Sequence, residues 1–234
     1  MIVSIDFSIN SPGICIYNEK GIHFASIIKE GVAKESYMNV LKEHGVEYSI
    51  LPKYKSAGNS STDEQGYTHD AIQTAEAISD IIKHINNGVG DREKNILIIE
   101  GFSFGSRGNR LAQISGYQFI TRFRLLAEMF IVENLYVYPP QSVKSIAGAA
   151  KRGEGKIGMI EAFMTHVAQE PLPMLMDNPL YKQITTDHSV FQTQPTKRSK
   201  GGKWKKPIDD LVDSYWILQT YFVKNEIDPK TFIF

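Results

Sequence analysis

The chain has 234 residues, 42% of them hydrophobic, and its 26 Lys and Arg residues balance its 26 Asp and Glu residues. This size suits one large domain with a buried core, residues 1–234, and is too short for two of ordinary size. Net charge by itself excludes no class of partner, but residues 195–206 carry six basic side chains and no acid.

Cysteine content and hydropathy restrict the kind of protein further. The single cysteine, Cys15, excludes an internal disulfide and a zinc site built from several cysteines, and its apolar neighbours are typical of a core position. The sequence has no apolar run of 18 residues and no basic-then-apolar leader. We therefore expect a soluble protein of a reducing compartment, the cytoplasm.

The first part of the chain has the pattern of a β-meander. Turn sequences NSPG and NEKG separate three short apolar runs, at residues 2–7, 13–17 and 21–28. In the first run apolar and polar residues alternate, so Asp6 shares a strand face with Ser4 and Ser8. The acid needs a partner, because burying an unpaired carboxylate is costly.

Helix and strand patterns alternate in the rest of the chain. Residues 30–66 are weakly patterned and polar towards their end, which indicates an insertion. The remaining predicted elements are a helix at 68–86 capped by Thr68, an aliphatic strand at 96–100, a long apolar helix at 110–134, a strand at LYVYPP, helices at 141–149 and 155–169, a proline-containing basic insertion at 170–206, and a final helix at 207–225. This order predicts an α/β fold with a mixed, five-stranded sheet and helices on both faces.

Two further acidic positions coincide with strong structural signals. Glu100 ends the aliphatic strand ILIIE, and Asp209, Asp210 and Asp213 lie in the first turns of the final helix. A spacing of three or four residues puts Asp213 on the same helix face as either neighbour. Some of these acids could have simpler roles. Glu100 can turn into solvent at the end of its strand, and Asp209 or Asp210 can stabilise the start of the helix through its macrodipole. The macrodipole does not explain Asp213, which lies one turn later.

Carboxylates that meet in one cleft need cations between them. Mg²⁺ and Mn²⁺ prefer such oxygen ligands, and the sequence has no run of His or Cys that competes for the role. Two such ions about 3.5–4 Å apart can activate water and stabilise a leaving oxygen in phosphodiester hydrolysis. The acids therefore predict a site for two divalent cations, Mg²⁺ or Mn²⁺.

Four segments, taken in order, resemble one family. SIDFSINSPGICI, ILIIEGF, VYPPQSVKSIAGAAKRGEGKIGMIEAF and DDLVDSY are similar to the motifs of the RuvC family of Holliday-junction resolvases, which has the ribonuclease H-like fold. The matched residues are Asp6 and Gly13 in the first segment, Glu100 with Phe102 and Phe104 in the second, Val143, Lys144, Gly153 and Lys156 in the third, and Asp210 and Asp213 in the fourth. DDLVDS is especially similar to the viral branch, which would act in the host cytoplasm, whereas segments 30–66 and 170–206 depart from the compact bacterial pattern.

The resemblance implies a metal-dependent endonuclease that resolves four-way DNA junctions. It implies that Asp6, Glu100, Asp210 and Asp213 are the catalytic residues and metal ligands, with Asp6 bridging two Mg²⁺ or Mn²⁺ ions. Because Asp209 directly precedes Asp210, the sequence does not decide which of the two is the third ligand.

DNA contacts are expected from three basic or aromatic segments. Family positions near the junction backbone are occupied by Lys144 and Lys156, although lysines on helix surfaces would look the same. The other expected contacts are Phe102, Phe104, Arg107 and Arg110 in GFSFGSRGNR, which suit unpaired bases, and Lys203, Trp204 and Lys205 in a flexible basic arm. The alternatives are that one of the two phenylalanines packs in the core and that the basic segment is only a solvated loop.

A four-way junction offers two symmetric strands, so the resemblance also implies a homodimer. The apolar helix at 110–134 is the leading interface candidate, although a buried core helix has the same pattern. The alternative functions are a nuclease of flaps, forks or other branched DNA, and a junction-binding protein without cleavage. An actin-like ATPase of related fold would need a second repeated domain and a glycine-rich adenosine loop.

Overall fold

The computed structural model describes residues 1–101, 109–150, 155–166, 171–193 and 203–232. Within these ranges the strands are β1 (Ile2–Asp6), β2 (Gly13–Asn18), β3 (Gly21–Lys29), β4 (Val46–Leu51), β5 (Ile96–Glu100) and β6 (Leu135–Tyr138). The helices are α1 (Glu35–Glu43), α2 (Ser60–Asn86), α3 (Asn109–Glu128), α4 (Pro140–Ile146), α5 (Gly155–Thr165), α6 (Pro179–Thr186) and α7 (Ile208–Lys224).

The strands form one mixed sheet in the order β4-β3-β2-β1-β5-β6. Strands β1 to β3 are the antiparallel meander, and β5, β6 and β4 each run parallel to a neighbour. The mixed α/β fold is therefore confirmed, but the sheet has six described strands where five were predicted. The additional strand, β4, lies in segment 30–66, and it escaped prediction because an edge strand with polar outward positions lacks a clear apolar run.

Two layers of helices cover the sheet. Helices α2 and α3 pack on one face, against Val3 and Ile5 of β1, while α7 and the shorter helices pack on the other face, against Ile2. The Ser4 hydroxyl donates a hydrogen bond of 2.7 Å to the Ser214 carbonyl of α7. Because side chains alternate along a strand, Asp6 also points to the α7 face.

Several element boundaries differ from the prediction. Helix α2 begins at Ser60 because the Asn59 side chain caps it, accepting hydrogen bonds from two backbone N–H groups, while Thr68 lies inside the helix. Helix α3 ends at Glu128, and the predicted insertion at 170–206 contains α6. No helix in the described part of the chain combines the length and apolar character needed to cross a bilayer.

Candidate active site

Two neighbouring parallel strands end in carboxylates. The register pairs Ile5 of β1 with Ile99 of β5, so Asp6 and Glu100 are the next residues on adjacent strands. Asp6 is 7% exposed. The two carboxyl groups are close enough for the charge of Glu100 to raise the pKa of Asp6.

The first turns of α7 bring two more acids to this sheet edge. One carboxylate oxygen from each of Asp6, Asp210 and Asp213 lies within 4.8 Å of the other two. Asp210 also accepts a hydrogen bond of 2.8 Å from the Ser11 hydroxyl in the loop before β2. Of the two acids that the sequence left ambiguous, Asp210 is therefore the one that converges with Asp6.

Gly13 sets the distance between β2 and α7. A Cβ atom on Gly13 would lie 2.0 Å from the Asp210 backbone oxygen, a distance at which the helix would have to move. The glycine that matches the resolvase motif is thus explained by close backbone approach at the carboxylate cluster.

Replacing Gly13 should therefore damage both the fold and the site. We expect Gly13→Ala to lower the free energy of unfolding by about 1–3 kcal/mol, as over-packed positions do, and to weaken divalent-cation binding. Urea unfolding and cation titration by calorimetry measure the two effects. Gly31→Ala is the control for the backbone strain that an added Cβ atom can cause. Its φ is +78°, but its Cβ would meet no atom within 4 Å. Equal loss of cation binding in both variants would contradict the role of Gly13.

Two lysines lie among the helix acids. The Lys156 ammonium is 3.0 Å from Asp209, 2.6 Å from Asp210 and 3.5 Å from Asp213. The Lys206 ammonium is 2.9 Å from Asp209 and 2.5 Å from Asp210. Basic side chains thus hold part of the cluster, chiefly Asp209 and Asp210.

The lysines do not compensate all the acids of the cluster. Burial raises the pKa of Asp6 well above its usual value, and the charges of Asp213, Asp210 and Glu100 raise it further. Burial, with the charge of Asp213, raises the pKa of Glu100 to about 7. Burial also raises the pKa of Asp213 to about 6, against the opposing charge of Lys156. Protons replace the missing positive charge on these carboxyls.

The donor set fits a hard divalent cation. Five carboxyl groups, those of Asp6, Glu100, Asp209, Asp210 and Asp213, lie near three ammonium groups, those of Lys144, Lys156 and Lys206. Within the described ranges the buried Oδ1 atoms of Asp209 and Asp213 accept no hydrogen bond. Unsatisfied carboxylate oxygens in a site with excess negative charge are what Mg²⁺ or Mn²⁺ binds.

The carboxylates open into a large cleft of about 780 Å³. The residues that line this cleft include Lys144, Lys156 and Lys206. The cleft also extends to Lys53 and Tyr54, in the loop after β4, and to residues of β3, α2 and α3. A DNA backbone that enters it would meet lysines beside the carboxylates.

The predicted DNA contacts have different outcomes. Phe102, Phe104 and Arg107 lie outside the described residues, as does the side chain of Arg110. In the predicted basic arm, residues 194–202 are also outside the described ranges.

At the end of that arm the chain is anchored. Trp204 is half-buried, its ring contacts that of His188 in a tilted arrangement with centroids 5.4 Å apart, and it pairs with Gln192 in a β-bridge. Lys205 donates a hydrogen bond of 2.8 Å to the Val190 carbonyl, and its ammonium lies 4.8 Å from the Tyr37 ring centroid. These contacts give Trp204 and Lys205 a structural role, whereas Lys203 is exposed.

Two residues of the cluster were missed from the sequence. Lys206 lies four residues before Asp210, a spacing that can place the two side chains together at the start of a helix and that could have identified it. Ser11 gave no signal, because its contact with Asp210 joins residues 199 positions apart.

Comparisons with known proteins give likenesses in structure. No protein-family model matches the sequence, and the comparison with curated proteins finds no match. Similar solved structures include Thermus thermophilus RuvC, with 10% identity over 96% of each chain and a TM-score of 0.44. The same protein in complex with Holliday junction substrate has 10% identity over 95% of this chain and 94% of that one, with a TM-score of 0.43. The yeast mitochondrial Holliday junction resolvase Ydc2 has 13% identity over 99% of this chain and 84% of that one, with a TM-score of 0.42. Each of these three matches extends over nearly the full length of this chain.

Proposed function

We propose that this protein is a metal-dependent endonuclease that cleaves four-way DNA junctions by hydrolysis of phosphodiester bonds. The observation that carries the proposal is the convergence of Asp6, Asp210 and Asp213, with Glu100 beside them, in a cleft lined by lysines. Carboxylates gathered with excess negative charge suit divalent cations, and lysines suit the phosphates of a nucleic acid.

Each group of residues has a role in this proposal. Asp6, Glu100, Asp210 and Asp213 would hold the two Mg²⁺ or Mn²⁺ ions. The bound ions would supply an activated water and would stabilise the leaving oxygen.

The lysines of the cleft bind the scissile strand. Lys144 lines the cleft and is exposed to solvent, so it can contact a phosphate that enters the cleft. Lys156 lies closer to the carboxylates and holds α7 acids in position through its ion pairs. Together they orient the strand so that its phosphate faces the carboxylates.

The substrate and the assembly follow from the motif order and from α3. The four segments that resemble the resolvase motifs support a four-way junction, cut by a homodimer with one active site per symmetric strand. The predicted interface helix exposes Phe119 (61%) and Phe123 (77%), which supports its role as a contact between copies. The DDLVDS sequence supports the viral branch of the family.

The raised carboxyl pKa values predict how stability depends on pH. Unfolding returns Glu100 from a pKa of about 7 to its usual value, so the folded state holds more protons between these values. Stability without metal should therefore fall as the pH rises from about 5 to about 7, and the variant Glu100→Gln should show a flatter profile. Thermal melting in EDTA measures this.

Divalent cations should reverse that trend. Because Mg²⁺ competes with protons for these carboxyl groups, the increase in melting temperature that it causes should grow with pH in the wild type. A wild-type melting temperature in EDTA that falls with pH no more steeply than that of Glu100→Gln would contradict the raised pKa of Glu100.

The function is tested by cleavage of matched DNA substrates. Four-way junctions, flaps, forks and nicked duplexes of shared sequence are incubated with Mg²⁺, Mn²⁺ or EDTA. We expect paired, symmetric cuts in the four-way junction with either metal and none in EDTA. Preferred cutting of flaps or forks would assign another branched substrate, and metal-independent binding without cuts would overturn the nuclease.

A further inference from the structure

The same cleft contains an aromatic and basic cluster away from the carboxylates. Lys53 and Tyr54 lie in the loop after β4, and Tyr67 lies in the first half of α2. The two tyrosine rings meet edge to face, with centroids 5.0 Å apart. Both rings are half-buried, and Lys53 is exposed.

Helix α2 is shaped to receive the Tyr54 ring. A Cβ atom on Gly66 would lie 2.0 Å from the ring of Tyr54, so the ring rests directly on the helix backbone. Glycine inside a helix costs about 1 kcal/mol relative to alanine. Its presence here is explained by the ring that occupies the place of a side chain.

Hydrogen bonds fix the loop in this position. Asp63 accepts hydrogen bonds from the Tyr54 hydroxyl at 2.9 Å, from the Ser56 hydroxyl at 2.6 Å and from the Ala57 backbone N–H at 2.7 Å. The Tyr54 ring is therefore held in place before any ligand arrives, which reduces the entropy lost on binding.

Tyr67 separates the cleft from a second cavity. This adjoining cavity, of about 500 Å³, lies between α2 and α3, and Gly116 leaves part of it free of side chains. Tyr67 lines both spaces. A planar group that stacks on the tyrosines thus has room beside it.

We propose that Lys53, Tyr54 and Tyr67 form a subsite for one unpaired nucleotide of the DNA strand in the cleft. The base stacks on the face of the Tyr67 ring, which the Tyr54 ring supports edge to face, and the Lys53 ammonium binds the adjacent phosphate. Aromatic faces bind bases of any sequence once the base has left its own stack, as happens at the centre of a branched DNA. The subsite rests on the proposed DNA-cleaving function and specifies how its substrate is held.

Binding of single-stranded DNA tests the stacking contact. In EDTA, so that nothing is cut, Tyr67→Ala should bind an oligonucleotide roughly 10- to 100-fold more weakly than the wild type, and Tyr67→Phe should bind within about twofold of it. Gly66→Ala should weaken binding in the same direction, because its Cβ displaces the Tyr54 ring while alanine favours the helix.

The phosphate contact has a matched pair of variants. Lys53→Ala and Lys55→Ala remove the same charge from the same exposed loop, but of the two lysines only Lys53 lines the cleft. Lys53→Ala should reduce the slope of log affinity against log salt by about 0.7, the value for one phosphate on a single strand. Lys55→Ala should leave the slope unchanged.

The outcomes separate this subsite from the proposed function. If wild-type protein cleaves the four-way junction but Tyr67→Ala binds DNA as the wild type does and only melts at a lower temperature, the tyrosines are packing residues and the subsite is wrong. Equal slopes for Lys53→Ala and Lys55→Ala would overturn the phosphate contact. If wild-type protein neither binds nor cuts DNA, both the function and the subsite fail.

Discussion

Asp6→Asn is expected to abolish cleavage of a four-way junction while leaving junction binding within about twofold of the wild type. Asp6 is the acid that faces Asp210, Asp213 and Glu100 together, so its amide would remove the charge shared by the whole cluster. Loss of several kcal/mol of transition-state stabilisation corresponds to a decrease of about 10³-fold or more in the cleavage rate. Single-turnover cleavage with Mg²⁺ and binding in EDTA measure the two quantities.

The fold should survive this substitution. Asp6 is buried with a raised pKa, so its ionised form is unfavourable in the folded protein without metal. The asparagine variant should melt at the same or a higher temperature in EDTA, as expected when an active-site charge opposes stability. It should also lose the stabilisation by Mg²⁺, so melting with and without the ion separates a catalytic loss from an unfolded protein.

A distant acid provides the control. Asp177→Asn changes the same side chain at an exposed position that pairs with Lys182 on the surface. It should keep wild-type cleavage, because exposed ion pairs contribute little and the residue does not line the cleft. Cleavage by Asp6→Asn at more than a tenth of the wild-type rate would remove Asp6 from the proposed metal site.

The sequence revealed the parts of the site that lie in regular elements. Asp6 in an apolar strand and Glu100 at the end of another are unusual enough to be noticed singly, and the spacing of Asp210 and Asp213 follows from helix geometry. Their convergence then depends on the parallel pairing of β1 with β5 and on the close packing of α7 at Gly13. The motif glycine was identified in sequence, but its contact with the helix backbone was not.

Contacts between distant side chains were beyond the sequence. Nothing in the sequence relates Tyr54 to Gly66, because the two residues meet only when the loop after β4 folds back onto α2. Segment 30–66 was therefore interpreted as an insertion. Within the described residues it supplies an edge strand, a helix and one end of the cleft. Polar residues that bond to one another across the fold have the composition of a loop, so composition alone did not indicate these contacts.

A buried ionic network is the clearest example of such contacts. Lys29 ends β3 with 1% of its side chain exposed, and its ammonium lies 2.6 Å from Asp70 and 2.9 Å from the Thr74 hydroxyl, both on α2. The Tyr117 hydroxyl of α3 donates a hydrogen bond to the same Asp70 carboxylate. The network joins the sheet to both helices of one layer and lines the cleft through Lys29, Asp70 and Tyr117.

Removing one ion from this network should destabilise the protein strongly. Asp70→Ala leaves the Lys29 ammonium buried and unpaired, and we expect the free energy of unfolding to fall by about 3–5 kcal/mol. The double variant Lys29→Met, Asp70→Leu removes both charges and should recover most of that loss, because apolar groups of similar size can replace a buried ion pair. Urea unfolding at constant m-value measures all three proteins.

The comparison of single and double variants decides what the network contributes. If the double variant is as unstable as Asp70→Ala, the loss comes from altered packing and not from an unpaired charge. If Asp70→Ala is as stable as the wild type, the Lys29 ammonium reaches water and the network does not join the layers. A further outcome is that the double variant recovers its stability and yet binds DNA less well than the wild type. Because lost stability could not then explain the weaker binding, that result would show that the charges orient α2 and α3 at the cleft.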